Sequence, residues 1–504
     1  MNSIADLLDL EDPNISISDI QIEGQTKTLT VETRPSCTFC PECGYRMHSR
    51  GVKVRSISHP IFQDGYAFKI KLKQRRWKCT NPDCKYDIQE TFKFVDKKRR
   101  RTNASDLLII EAFRDLNQTS VDIAKRFHTT DTYVNEVFDR YIKLDRLPLT
   151  DIISVDEVHT EILDSSDYSL IIQDFYTGDP IDVLISRRQK DTEPYFAAIP
   201  IEERLKVRYL ISDMYNPYIQ FVDKYFPNAT PVVDSFHVVQ WIIHHIEMFI
   251  RKQIKQFKER DKNEFLRKHP EINYTLDRPR IPLSDEVYIL QKYRWLILSN
   301  QNNITYHVDL RRDTHFGRMM NTYSYEDYLF RYVPRLRILR DLKEMYISFN
   351  TRNAGDPVNA AKELDELIVH YRNCGDSIFC DFAGTLYRYR SPIITSFVMV
   401  EKCGPGGIYD ARLSNGPIES LNRKVKDLKR SGRGYRNFEH FRNRFLFSTR
   451  NRPVLNGISD SRQVQYIDEE IEKVTSRLAD VAEEDKNIRT VYNYLMHDDA
   501  AEFL

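Results

Sequence analysis

Four cysteines restrict the N-terminal part of this chain more tightly than any other feature. Cys40 and Cys43 have two residues between them, and Gly44 directly after permits the tight turn that would aim both thiols inward. Cys79 and Cys84 form a second pair with four residues between. Two such knuckles on a small β ribbon make a structural Zn²⁺ site with Cys40, Cys43, Cys79 and Cys84 as ligands. Cys37 with Cys40 is an alternative first knuckle. Between the pairs, Phe68, Ile70 and Leu72 alternate with Lys69, Lys71 and Lys73, the pattern of a strand with a basic outer face. Arg75 and Arg76, beside Trp77, give the ribbon a DNA-contacting surface. A ribbon of this size is expected to hold no core without its metal.

The chain has 504 residues, enough for about three domains. Its 75 basic and 74 acidic residues nearly cancel, so total charge identifies no partner. The distribution does: residues 44–101 and 420–452 are basic, while 455–504 carry 12 acids against five bases. No apolar run approaches the roughly 20 residues of a membrane span. Residues 1–8 lack the cationic start and apolar run of a signal peptide, so a cytoplasmic protein is expected.

Lys97, Lys98, Arg99, Arg100 and Arg101 form a cationic run that enters a helical segment. Residues 120–127 read as one helix, 128–130 as a short turn and 131–141 as a second helix, resembling a helix-turn-helix. Ile123, Ala124, Phe127, Val134, Val137 and Phe138 would pack inward. Thr130, Thr132 and Asn135 lie at the start of the second helix, where base edges are reached.

Downstream, the pattern changes to β-branched runs. Residues 151–157, 168–174 and 181–186 read as three consecutive strands, followed by a helix at 191–205, a strand at 207–213, a helix at 217–225 and a strand at 230–234. That is the order of an RNase H-like fold, in which carboxylates at adjacent strand ends converge. Asp156 and Asp213 are the candidates. Glu157 competes with Asp156, and neighbouring strand residues face opposite ways, so only one can point into the cleft. Asp156, sharing a face with Ser154, is the choice. Asp234 and His237 are read as bracing the site.

The third carboxylate comes from residues 413–447. Ser414 or Asn415 is an N-cap, Pro417 suits the first turn, and Ile418, Leu421, Val425 and Leu428 form an apolar stripe. Glu419, Asn422, Arg423 and Lys426 share the other face. From Ser420 to Arg452 there are 11 Lys or Arg residues against two acids, so Arg423, Lys426 and Arg430 read as a phosphate-backbone track. Asp156, Asp213 and Glu419 together would hold two Mg²⁺ ions, with Mn²⁺ as a substitute. The 184 residues between Asp234 and Glu419 exceed what the core needs and are dominated by helical patterns.

These blocks, in this order, resemble the insertion-sequence transposases of the ISL-three family. The matching pieces are Cys40 to Gly44 with His48 to Arg50; Arg76 to Cys84; Ser154 to Glu157; Ser212 to Tyr215; Val233 to His237; and Ser414 to Glu419 through Arg442 to Arg444. Ser420 departs from the glycine usual after the Glu in that family. The resemblance implies Asp156, Asp213 and Glu419 as the catalytic triad of a DDE transposase that binds the terminal inverted repeats of its element. Such an enzyme cleaves and joins double-stranded DNA, as a homo-oligomer associated with a bacterial nucleoid. A catalytically inactive DNA-binding regulator is the alternative, and a zinc-ribbon repair nuclease a third reading. The expected layout is multidomain: a leader at 1–36, a small β zinc ribbon at 37–95 and a helix-turn-helix at 96–147. An α/β RNase H-like core spans 148–236 plus 410–452, interrupted by an all-α insertion at 237–409. An acidic tail follows at 453–504.

Overall fold

The computed structural model describes residues 10, 12, 15–33, 39–63, 66–162, 167–272, 280–404 and 407–451. Cys37 and the acidic tail at 453–504 lie outside these residues. The chain divides into two compact units, Met1–Asp145 with Glu439–Leu504, and Arg146–Phe438.

The first unit opens with a five-stranded sheet: β1 (Ile15–Glu23), β2 (Thr26–Thr33), β3 (Met47–Gln63), β4 (Tyr66–Cys79) and β5 (Asp87–Gln89). The order is β1-β2-β4-β3, with β5 beside β4 at its cysteine end. Strands β1 and β2 fall within the stretch expected to be a leader. Their alternation was legible, since Leu29 and Val31 on β2 bury against Ile57, Ile70, Leu72, Phe92 and Phe94. The expectation that the ribbon has no core of its own is therefore corrected: burying each such side chain stabilises by roughly 1.5–3 kcal/mol, with no metal involved.

Three helices follow, α1 (Asn103–Ala112), α2 (Ser120–Arg126) and α3 (Asp131–Tyr141). Helix α2 starts with a capping box between Thr119 and Asp122, and the Thr130 hydroxyl caps α3 by accepting from the Tyr133 amide at 3.2 Å. His128, at φ 47°, makes the turn between them. The six side chains assigned to the interior of this helix pair are all buried.

The second unit is built on a sheet of β6 (Ile152–His159), β7 (Tyr168–Asp174), β8 (Pro180–Leu184), β9 (Tyr209–Ser212) and β10 (Thr230–Val233), in the order β10-β9-β6-β7-β8. The first three strands run antiparallel, while β9 and β10 lie parallel to β6. Between β8 and β9 the expected single helix is two, α4 (Gln189–Ala198) and α5 (Ile201–Arg204), because Pro200 cannot continue the helix. Helix α6 (Asn216–Tyr225) joins β9 to β10, and α7 (Ser235–Lys268) leaves β10.

Helix α7 carries Ile242, Ile246 and Ile250 into the core of the insertion. That core is completed by α8 (Asp285–Tyr293), α9 (Trp295–Leu298), α10 (Thr322–Tyr332), α11 (Arg335–Arg352), α12 (Pro357–Asn373), α13 (Ser377–Arg388) and α14 (Arg390–Thr395). The insertion is helical but not all-α. A hairpin of β11 (Arg311–Asp313) and β12 (Arg318–Met320) interrupts it, with Gly317 at φ 65° in the turn. A second hairpin, β13 (Met399–Gly404) and β14 (Gly407–Arg412), leads into α15 (Gly416–Ser431).

The last described helix, α16 (Phe438–Thr449), lies where the catalytic core was expected to continue to residue 452. From Glu439 onward it belongs to the first unit instead. Arg444, 1% exposed, donates to the carbonyls of Phe113, Asp115 and Gln118 just after α1. Its guanidinium also lies over the Phe113 ring, 4.9 Å from its centre. Among the described residues no helix is long and apolar enough to cross a membrane.

Candidate active site and metal centre

Helix α15 begins at Asn415, which is fully buried. Its side chain does not cap the helix as expected; the amide Nδ2 reaches the Val155 carbonyl on β6 at 3.4 Å. Ile418, Leu421, Val425 and Leu428 are all buried, so the apolar stripe fixes the rotation of the helix. The opposite face then meets β6. Asn422 Nδ2 donates to Asp156 Oδ2 at 2.6 Å. Glu419 is half-buried in the first turn, one turn before Asn422 on the same face, where the helix dipole favours a carboxylate.

Asp156 and Glu157 point opposite ways. Asp156 is 7% exposed and faces α15, whereas Glu157 accepts from the Tyr218 hydroxyl at 2.6 Å and pairs with Arg187. Asp213 and Asp234 directly follow β9 and β10, the two strands parallel to β6. His237, in the first turn of α7, is in ion-pair contact with Asp213, Nε2 to Oδ1 at 2.6 Å. Asp234 caps α7 by accepting from the Phe236 amide at 3.4 Å, and the Asn415 backbone amide also faces its carboxylate.

Burial, then the neighbouring charge of Asp213, pushes Asp156 up to about 7. Burial also raises Asp234. For His237, burial acts to lower the pKa, but Asp213, Asp234 and Asp156 outweigh it and the net shift is upward. Two buried amide oxygens, Asn415 Oδ1 and Asn422 Oδ1, have no hydrogen-bond partner. Crowded carboxylates beside unpartnered acceptor oxygens are what a hard, oxygen-seeking cation would relieve, so the donor set fits Mg²⁺ or Mn²⁺. The three carboxylates are not drawn into one tight cluster, however. Among the described residues, only the cysteines form a group of three or more such side chains gathered closely enough to hold an ion.

At that centre the four sulfurs lie within 4.8 Å of one another. Cys40 Sγ is 3.7 Å from Cys84 Sγ, and Cys43 Sγ is 3.4 Å from Cys79 Sγ. These spacings far exceed a disulfide and approach the about 3.8 Å edge of a tetrahedron with 2.3 Å zinc–sulfur bonds. Each knuckle is closed by its own backbone. Cys40 N donates to Tyr45 O at 2.8 Å, Gly44 N to Cys40 O at 2.9 Å, and Cys79 N to Tyr86 O at 3.0 Å. The Tyr45 backbone amide beside Cys43 pulls its thiol down to about 7, whereas burial raises Cys79, and Cys84, although the Tyr86 backbone lowers it, is raised on balance by burial and the neighbouring thiols.

The residues expected to contact DNA divide into those exposed and those engaged within the protein. Lys97, Lys98, Arg100, Thr130, Thr132, Arg423 and Lys426 are exposed. Arg75 is half-buried. Arg76 pairs with Asp87 at 2.7 Å, and Arg430 with Asp427 at 3.4 Å. Arg99 pairs with buried Asp106, and Arg101 stacks on the Tyr133 ring 4.8 Å from its centre. Asn135 accepts from the Ser120 hydroxyl at 2.6 Å, tying α3 to α2.

Residues 153–445 match the family model of the ISL-three DDE transposases, described as a transposase. The chain is an ISL-three family transposase. The match spans more than half of the transposase and includes Asp156, Asp213 and Glu419. No curated protein matches it. Of the residues beside Asp156 in the transposase, the sequence reading gave Asn415 only an alternative capping role and put Asn422 on the Glu419 face without a partner. Their signal was available: Asn422 stands three positions beyond Glu419, so the two share a helix face.

Proposed function

We propose that this transposase recognises the ends of its element as duplex DNA and cuts and joins strands with Asp156, Asp213 and Glu419 as ligands of two Mg²⁺ ions. The observation that carries the reading is the contact between Asn422 and Asp156, because it lays the Glu419 face of α15 along the strand that bears Asp156. When bound, a metal pair supplies an activated oxygen nucleophile and stabilises the leaving oxygen of an in-line displacement. The chain's own part is to hold these ligands. Asn422 fixes the Asp156 carboxylate, His237 fixes Asp213, and Asp234 anchors both the start of α7 and the backbone at Asn415. The strand order β8-β7-β6-β9-β10 supports an RNase H-like core.

Recognition is assigned to the first unit. The cysteine centre takes zinc and sets the ribbon's tip, and α3 offers Thr132 to the major groove while Thr130 holds its cap. Lys97, Lys98 and Arg100 add affinity without sequence preference. The test is Glu419→Gln. End cleavage should fall by at least about a thousandfold, while duplex binding stays within about twofold. Cleavage near the wild-type rate would remove Glu419 from the ligand set.

A further inference from the structure

Hairpin β11–β12 has three residues in each strand, too few to be stable alone. It is held from beneath by Asp313, 5% exposed. The Asp313 carboxylate accepts from the hydroxyls of Tyr288 and Tyr325 at 2.9 and 3.0 Å, and from the backbone amides of His315 and Phe316 at 2.9 and 3.1 Å. The rings reinforce this: His315 stacks on Tyr288 with centroids 4.1 Å apart, and Tyr293 on Tyr325 at 3.7 Å. A buried carboxylate and several tyrosines thus fix the position of a very short hairpin.

The outward side has the opposite character. Residues 307–312 are exposed throughout, and Val308, Leu310 and Met319 are 72%, 55% and 53% exposed. Arg312 pairs in register with Met319, and Arg311 with Met320. Neither Arg311 nor Arg312 has an ion pair among the described residues. Arg318 lies over the rings of Phe316 and Tyr328, at 5.2 and 4.7 Å, and not against a carboxylate. Three guanidinium groups, of Arg311, Arg312 and Arg318, outnumber Asp309, the one carboxylate of residues 307–312, and an edge that sets them beside bare aliphatic side chains calls for a partner that is both polyanionic and able to bury apolar surface. Opened DNA offers both, phosphates along the strand and base faces where stacking is broken.

We propose that β11–β12 is a DNA-contacting wedge, with Arg311, Arg312 and Arg318 on phosphates and Val308, Leu310 and Met319 against unstacked bases. The proposal rests on the reading of the protein as one that acts on DNA. It does not require the carboxylate assignment.

Two double variants of the full chain test it, Arg311→Ala with Arg312→Ala and Val308→Ser with Leu310→Ser. All four positions are exposed and lie outside the Asp313 network, and matching thermal melts establish that each variant folds. Binding is read by fluorescence anisotropy without divalent metal, on a random-sequence duplex and on the same duplex carrying a mismatched bubble. The arginine variant should reduce the salt dependence, log K against log salt, by about two. The aliphatic variant should hold duplex affinity within about twofold yet lose about tenfold on the bubble. An unchanged salt slope, or equal losses on both DNAs, overturns the wedge. Preferential binding of the wild-type chain to anionic phospholipid vesicles, lost in both variants, overturns DNA as the occupant. Because no metal is present, failed cleavage in a separate assay sinks the catalytic reading and leaves this one standing.

Discussion

The two candidate metal centres are assembled in opposite ways. The four thiols come from two short knuckles whose backbones close them locally, and the sulfurs already stand near tetrahedral spacing. The carboxylates come from inside β6, from the end of β9 and from a helix that arrives 184 residues after Asp234, and they are not gathered into one cluster. On the proposed function, the difference follows from what each must do. A structural zinc site is complete within the protein, so its geometry can be finished by folding. Mg²⁺ is typically held by one or two carboxylates together with substrate phosphates, so a site awaiting DNA gains nothing from closing early. Three anions brought together without cations would repel one another, and Asp156 already shows the strain of burial beside Asp213. The Asn422 amide holds Asp156 and the His237 imidazole holds Asp213.

The comparison can be broken most severely at the thiols. Replacing Cys79 and Cys84 together by Ser should release zinc, and the preference for element ends over random duplex, ordinarily about 10³ or more, should fall toward one. Weak, salt-sensitive binding should persist. Far-UV circular dichroism should keep most of its strand signal, since the core around Ile57, Ile70 and Leu72 does not involve the metal. End preference retained in the proven absence of zinc would detach the ribbon from recognition.

A milder break lies at the carboxylates. Asn422→Ala should lower Mn²⁺ affinity, measured by paramagnetic titration of the DNA-free protein, by about 10- to 100-fold. Unaltered affinity would show that Asp156 needs no positioning. The smallest expected effect sharpens the picture of the knuckle. Gly44 adopts φ 75° with open space where a Cβ would go, so Gly44→Ala meets backbone strain alone. At about 1 kcal/mol, that strain should weaken zinc about fivefold in a chelator competition. A loss much beyond that would mean that Gly44 does more than turn the chain.

The sequence was readable where local pattern and global fold agree. The five strands of the second unit and the buried stripe of α15 follow from period and spacing, and the structure has them; strand alternation likewise accounts for the different partners of Asp156 and Glu157. Other features escaped. Strands β1 and β2 carry legible alternation but no cysteine or cationic landmark to flag them. Hairpin β11–β12 has too few residues per strand to give a periodic signal. The place of α16 was out of reach because Arg444 is bound by carbonyls more than 320 residues earlier, and main-chain oxygens leave no mark in the sequence. Of the expected DNA contacts, Arg99 and Asn135 were named for their chemistry, which the fold also uses internally.

The return of α16 to the first unit has a consequence for synthesis. The ribosome makes the helix-turn-helix early, but the side chains that cover its Phe113 and Phe138, among them Phe447, are made only near the end. A nascent or truncated chain that stops before residue 439 therefore has every strand of the second unit's sheet but leaves Phe138 without the Phe447 ring that packs on it.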